Sequence, residues 1–195
     1  MAWLRKLSEA LNRRDPAGYR PGATLGHVRR DFHDWRCAPL DARGARFDRP
    51  GDALAFEVRE HTQSELLMHL VLTEFTVRTP ARQPLPIRLD IRHTGAWRRT
   101  GLRCTARRGA PPPPEALLAE LREDPALYAA LMPLDFKRLR IERQADGWVA
   151  RLEHMAGSEV VNRMPSFRRY IPFTPSQRDG LLTALSRLQT ILTRH

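Results

Sequence analysis

The chain has 195 residues, 42% hydrophobic and 28% charged, a balance that suits one packed domain and excludes wholesale disorder. Lys+Arg total 33 against 22 Asp+Glu, a formal net charge of +11 at pH 7. No apolar run is long enough to span a membrane, since Leu66-Leu67-Met68 and Leu70-Val71-Leu72 are interrupted by His69.

Only Lys6 and Lys137 are lysines, so 31 of the 33 cations are arginine. Arginine suits bidentate pairing with phosphate or carboxylate. A GC-rich coding sequence, favouring Arg, Ala, Pro and Gly codons, accounts for the same bias without a function. The charge acts either way, because a strongly basic chain attracts nucleic acid, acidic proteins and anionic membrane surfaces. Cys37 and Cys104 form no CxxC pair and have no histidine at ligand spacing, which leaves no zinc signature. With no signal peptide ahead of them they read as free thiols of a reduced, cytoplasmic chain.

In chain order, residues 2–14 predict an amphipathic helix, with Trp3, Leu4, Leu7 and Leu11 on one face and Arg5, Lys6, Glu9, Arg13 and Arg14 around the rest. Such a stripe either packs on its own domain or docks a partner or membrane surface. Tyr19 to Asp48 is irregular in pattern, apart from a short helix over Leu25 to Phe32, and Phe32, Trp35 and Phe47 are its expected anchors.

From Ala53 the apolar period is two, and Leu54, Phe56 and Val58 mark a half-buried strand. Thr62-Gln63-Ser64 predicts a turn into a strand from Glu65 to Arg78. That strand changes parity, from Leu66, Met68, Leu70 and Leu72 to Val71, Thr73, Phe75 and Val77, which predicts a bulge or burial on both faces. Strands follow around Ile87-Leu89-Ile91 and Leu102-Cys104-Ala106. Pro111 to Pro114 then leads into a helix over 114–122, and Asp124-Pro125 caps a second one. Leu139-Ile141, the turn pair Asp146-Gly147 and Trp148-Ala150-Leu152 predict a hairpin that Gly157 ends. A further strand is expected between Val160 and Phe173. Thr174-Pro175-Ser176-Gln177 opens a long C-terminal helix with a capping box, carried by Leu181, Leu185, Leu188 and Leu192.

Arg88-Leu89-Asp90-Ile91 before Gly95-Ala96-Trp97 echoes Arg138-Leu139-Arg140-Ile141 before Gly147-Trp148. The echo fits either a duplicated hairpin-plus-helix unit or the common grammar of hairpins.

No nucleophile elbow, phosphate loop or dinucleotide motif occurs, and the sequence implies no cofactor and no metal; catalytic residues are not identified. His61, Glu65 and His69 have a spacing that would suit a metal on a helix, but the pattern around them is strand and turn, which favours exposed hairpin histidines. Asn162 to Phe173 interleaves Arg163, Arg168 and Arg169 with Phe167, Tyr170 and Phe173. That mixture suits phosphate pairing and base stacking, so Arg163, Phe167, Arg168, Arg169 and Tyr170 are the candidate nucleic-acid or anion-binding residues. The competing reading is an edge strand with Phe167 and Ile171 toward the core. Arg88, Arg92, Arg103, Arg107, Arg138, Arg140 and Arg151 fall at outward strand positions, with Asp90, Glu142 and Glu153 at the same parity to pair with some of them.

The segment Arg168-Arg169-Tyr170-Ile171-Pro172-Phe173, followed by the capped leucine helix, resembles an uncharacterised proteobacterial family of unknown function. The resemblance spans the whole chain, carries no catalytic residues and implies a bacterial cytosolic source.

The expected architecture is a single α+β domain over 1–195, with an antiparallel sheet of about six or seven strands and helices packed on one face. A division into 1–110 and 114–195 is the alternative. The function expected is non-enzymatic: a binding or adaptor protein whose cationic surface meets an acidic protein or nucleic acid. The alternative is an enzyme or small-ligand carrier with a pocket assembled in space around His61, Glu65 or His69.

Overall fold

A computed structural model describes residues 18–64, 68–81, 86–95, 98–107, 109–163 and 166–195. The amphipathic helix expected over 2–14, with its docking reading, lies outside them. Helix α1 (Ala23–Asp31) is followed by strands β1 (Arg36–Asp41), β2 (Gly44–Asp48), β3 (Ala55–Ser64), β4 (Met68–Thr79), β5 (Arg88–Thr94) and β6 (Gly101–Ala106). Helices α2 (Glu115–Glu123) and α3 (Pro125–Leu131) then precede β7 (Phe136–Gln144), β8 (Gly147–Arg163), β9 (Ser166–Tyr170) and the long α4 (Pro175–Arg194).

All strand pairs are antiparallel and form one nine-stranded sheet in the order β1-β2-β3-β4-β8-β7-β5-β6, with β9 paired to β8. The sheet is larger than the six or seven strands expected. The difference begins at β1 and β2, in the stretch that shows no pattern: β1 is solvent-facing along almost its whole length, so no apolar alternation marks it.

Residues of one parity from β2, β3, β4, β5, β7 and β8 join residues of all four helices in a single hydrophobic cluster. This covered face is the inner face, and the opposite one is the outer face. Phe32 stands at its centre, fully buried, with ring centroids 5.4 to 6.1 Å from Phe47, Phe56, Phe75 and Phe173. The expected anchors Trp35 and Phe47 are buried beside it. In α4, Leu181, Leu185, Leu188 and Leu192 are fully buried, each contributing roughly 1.5–3 kcal/mol of transfer free energy. The capping box at Thr174 and Gln177 is present, and Asp124 caps α3 by accepting from the Leu127 N–H at 2.7 Å. Pro114 takes the N-cap position of α2 rather than its first turn.

Strand β4 keeps a single parity, since its register with β3 is unbroken; the irregularity is in its pairing with β8, where Leu72 alone stands against residues 155–158, and Leu72 is buried on the face opposite Val71 and Thr73. Gly157 does not end the hairpin, as its identity suggests; β8 runs through it to Arg163. Its φ of +83° makes the bend, and a Cβ there would stand 2.6 Å from the Phe173 ring, so glycine is required for packing as well as for turning. Past the bend, β9 replaces β7 as the neighbour of β8. Thr62-Gln63-Ser64 forms the end of β3 rather than a turn, and Glu65 lies outside the described residues.

Candidate functional site

The β9 candidates divide between the two faces. Arg168 lies on the inner side, where its Nε and Nη2 donate to both Glu159 carboxylate oxygens at 3.0 and 2.9 Å and its Nη1 to the Gly18 carbonyl at 3.2 Å. Burial works to raise the Glu159 pKa, but the hydrogen bonds and charge of Arg168, with the Thr24 hydrogen bond and the charge of His27, together outweigh it and hold the carboxyl below its ordinary value. Tyr170 is also inward: its hydroxyl donates to Asp31 at 2.6 Å and its ring stacks on His27 at 4.5 Å. Burial, then the Asp31 hydrogen bond, push its pKa upward.

Phe167 and Arg169 take the other side, and Phe167 is 45% exposed, which reverses the orientation expected of a core-facing Phe167. The pairing Asn162↔Phe167 and Val161↔Arg168 sets that phase. Arg163 ends β8, and its side chain lies outside the described residues.

Two carboxylates that the sequence reading passed over hold this inner end together. Glu60 is 3% exposed and accepts from the Tyr19 hydroxyl at 2.6 Å, the Gly22 N–H at 2.9 Å and the Leu25 N–H at 2.7 Å. It thereby caps α1, whose N-cap glycine has no side chain to do so. Glu159 accepts from Thr24 as well as Arg168. The available signal was parity, since both glutamates occupy strand positions that face the helices.

The histidine set does not converge. His61 pairs with Leu72 and His69 with Ser64 in one unbroken register, so their side chains take opposite faces. His61 is exposed and reaches Glu74 at 3.6 Å, whereas His69 is fully buried, contrary to the exposed reading. No metal-binding group of His, Cys, Asp and Glu occurs among the described residues. Another histidine, His154, is fully buried at the β8 bend. Its Nδ1 accepts from the Ala156 N–H at 2.9 Å, which leaves the proton on Nε2, and burial pushes its pKa down to about 4. Cys37 and Cys104 are free and half-buried, and burial raises Cys104 to about 11, so its thiol stays protonated.

The outward arginine set, by contrast, is assembled as its parity implies. A row crosses seven strands of the outer face as Thr105, Asp90, Arg140, Arg151, Thr76, Glu57 and Arg46. Arg151 pairs with Glu142 at 2.7 Å and Glu74 at 3.7 Å, and Asp90 lies 3.9 Å from Arg140 and 3.8 Å from Arg92. Arg107 lies 3.8 Å from Glu142, and Lys137 4.0 Å from Glu153.

Arg88, Arg103 and Arg138 have no carboxylate partner among the described residues. Arg103 stands directly opposite Arg92, and both line a shallow cleft of about 290 Å³ with His93, Thr94, Gly95 and Thr105. Burial, then the positive charges of Arg138 and Arg107, push Arg140 below the usual guanidinium range, against the pull of Asp90 and Glu142. The β5-β6-β7 part of the outer face is therefore a field of positive charge that its own acids do not neutralise.

A family model described as "Protein of unknown function (DUF3156)" matches residues 30–192. The chain belongs to that family. The match takes in every described strand, α2, α3 and the greater part of α4. Searches of curated proteins and of solved structures returned no match. Among the described residues, no helix is long and apolar enough to cross a membrane.

Proposed function

We propose that the protein is a binding module for a polyanionic partner, which it meets with the outer face of β5, β6 and β7. The observation that carries this reading is the surplus of arginine there: among the described residues Arg88, Arg103 and Arg138 make no ion pair, although Arg88 and Arg138 stand across from Glu142 and Glu153, and Arg103 is set against a second arginine instead of a carboxylate. Like charges opposite each other on a sheet are unfavourable for folding, so the arrangement gains its use when an anion bridges them. Guanidinium groups on a rigid sheet also hold their donors at fixed spacing, which suits repeated carboxylates or phosphates. At the far end of the same face Arg169 and Phe167 extend the contact, while Arg168 and Tyr170 are engaged with Glu159 and Asp31.

A salt titration tests the reading, with a single-stranded oligonucleotide and with polyglutamate as probes. For the oligonucleotide, the triple substitution Arg88→Ala, Arg103→Ala, Arg138→Ala should flatten the slope of log affinity on log salt by about two to three units if all three touch phosphate. A slope identical to wild type with both probes would remove this face as the site.

A further inference from the structure

Strand β6 is the last of the sheet, and its hydrogen-bond phase is fixed. The Arg107 N–H donates to the Arg88 carbonyl at 2.9 Å, in the register that sets Asp90 against Thr105 and Arg92 against Arg103. Antiparallel ladders alternate, so Arg103 and Thr105 bond to β5 while Leu102, Cys104 and Ala106 turn their main-chain N–H and C=O groups away from it. Among the described residues no strand pairs with that edge. The opposite edge of the sheet, β1, carries Pro39 and a register irregularity between Pro39 and Asp41, two common protections against strand pairing. Strand β6 has neither. Its side chains alternate as well: Arg103 and Thr105 on the outer face, Leu102 and Cys104 half-buried against the core.

We propose that β6 is a docking edge for an extended acidic segment of a partner polypeptide, added as a further strand of the sheet. The segment's main chain would complete the hydrogen bonds of Leu102, Cys104 and Ala106. Its residues level with Arg103 and Thr105 would be acidic, supplying the carboxylate that Arg103 lacks across β5. Its alternate residues would be small and apolar, continuing the inner face beside Leu102 and Cys104. A second copy of this chain suits the edge poorly, because pairing β6 with itself brings the arginines of two copies together. Nucleic acid suits it poorly too, having no peptide groups with which to complete a ladder. The proposal rests on the anionic-partner reading of the outer face and narrows it to a polypeptide.

The test uses the whole protein and a fluorescein-labelled octapeptide of alternating Glu and Val, with a single-stranded oligonucleotide in parallel. Amide hydrogen exchange should slow at Leu102, Cys104 and Ala106 when the peptide binds. Cys104→Pro removes a donor that β5 does not use, so the sheet should survive it. Peptide affinity should fall by roughly tenfold or more, from the lost bond and the obstructed edge, with the oligonucleotide unaffected. Unchanged exchange in the wild-type complex overturns strand addition even if the proline variant does not fold, and so does wild-type affinity in a folded Cys104→Pro. Edge protection that grows with protein concentration in the absence of peptide assigns the edge to a second copy and overturns it as well. Arg103→Glu separates the two claims. If it weakens both probes while exchange at the edge stays unchanged, the anionic face stands and strand addition falls; if it weakens neither, the anionic reading itself falls.

Discussion

Neighbouring residues of β9 show how differently the two faces of one sheet use the same side chain. Arg168 turns inward and is consumed by the fold, bound to Glu159 and to the chain at Gly18. Arg169, one residue on, is exposed, on the side shared with Arg151, Arg140 and Arg103. On the inner face charge is rare and each buried carboxylate has several donors, because an unpaired charge in that environment is costly. On the outer face water screens each cation, so arginines accumulate beyond the number of acids. Composition alone therefore says little about binding. What separates a structural arginine from an available one is its counterion.

The contrast is broken most directly with aromatic residues. Phe32→Ala should destabilise by roughly 3–5 kcal/mol, since the ring is fully buried among four other phenylalanines and leaves a cavity. Phe167→Ala, on the outer side, should cost under about 1 kcal/mol. Urea unfolding midpoints measure both, and comparable losses would mean that the outer end of β9 is covered in solution.

Acid should act through the inner face. In the unfolded chain an ordinary histidine takes up its proton near pH 6.5, whereas folded His154 does so only near 4. The stabilisation is complete above about pH 6.5 and is lost as pH falls toward 4, because the unfolded chain binds a proton that the native one refuses. The ceiling on that loss is roughly 3 kcal/mol. Half-buried His93 is shifted the same way, chiefly by burial. His154→Asn keeps an acceptor for the Ala156 N–H without titrating, and should flatten the pH dependence of chemical unfolding between about 6.5 and 4.5. An unaltered profile would exclude His154 as its source.

Next in size comes the β9 pair itself. Arg168→Ala strands a buried Glu159 and should cost roughly 2 kcal/mol, less than for a fully buried pair because the Arg168 side chain is 34% exposed. Arg169→Ala should stay within about 0.5 kcal/mol. Paired denaturation curves settle it, and a loss at Arg169 equal to that at Arg168 would sink the division drawn between the faces.

What the sequence made legible follows from which forces act locally. Alternation marked β3, β4, β5, β7 and the first half of β8, and parity alone put the outward arginines on one face. The Asp124 and Thr174 caps were equally legible, since a cap is a matter of residues three apart. Strands β1 and β2 were not, because β1 has water on both sides and so no alternation to show, and β2 offers only Ala45 and Phe47 as inward residues, too short a run to mark a period. Gly157 was visible as a break, but only the ring of Phe173 against it shows that the strand bends rather than ends. Partnership was the least legible property. That Arg103 meets Arg92 while Arg151 meets Glu142 depends on register, and the fate of Arg168 depends on a glutamate brought alongside by a strand reversal.

The smallest expected effect is also the one that bears most on function. Arg103 and Arg92 face each other across β5 and β6, an arrangement that a sheet selected only for stability would not keep. Arg103→Glu replaces that repulsion with a cross-strand pair. Both side chains are exposed, so the gain should be small, roughly 0.2–1 kcal/mol and smaller at high salt. Thermal unfolding at low and high ionic strength measures it. A binding site and a folding contact pull in opposite directions at such a position, and the same substitution should weaken the hold on an anionic probe. If Arg103→Glu destabilises the protein instead, Arg103 is held by contacts of its own and is structural after all. A gain in stability together with a loss of binding would mark the Arg92–Arg103 row as a place where the fold gives up a little stability to keep two positive charges side by side.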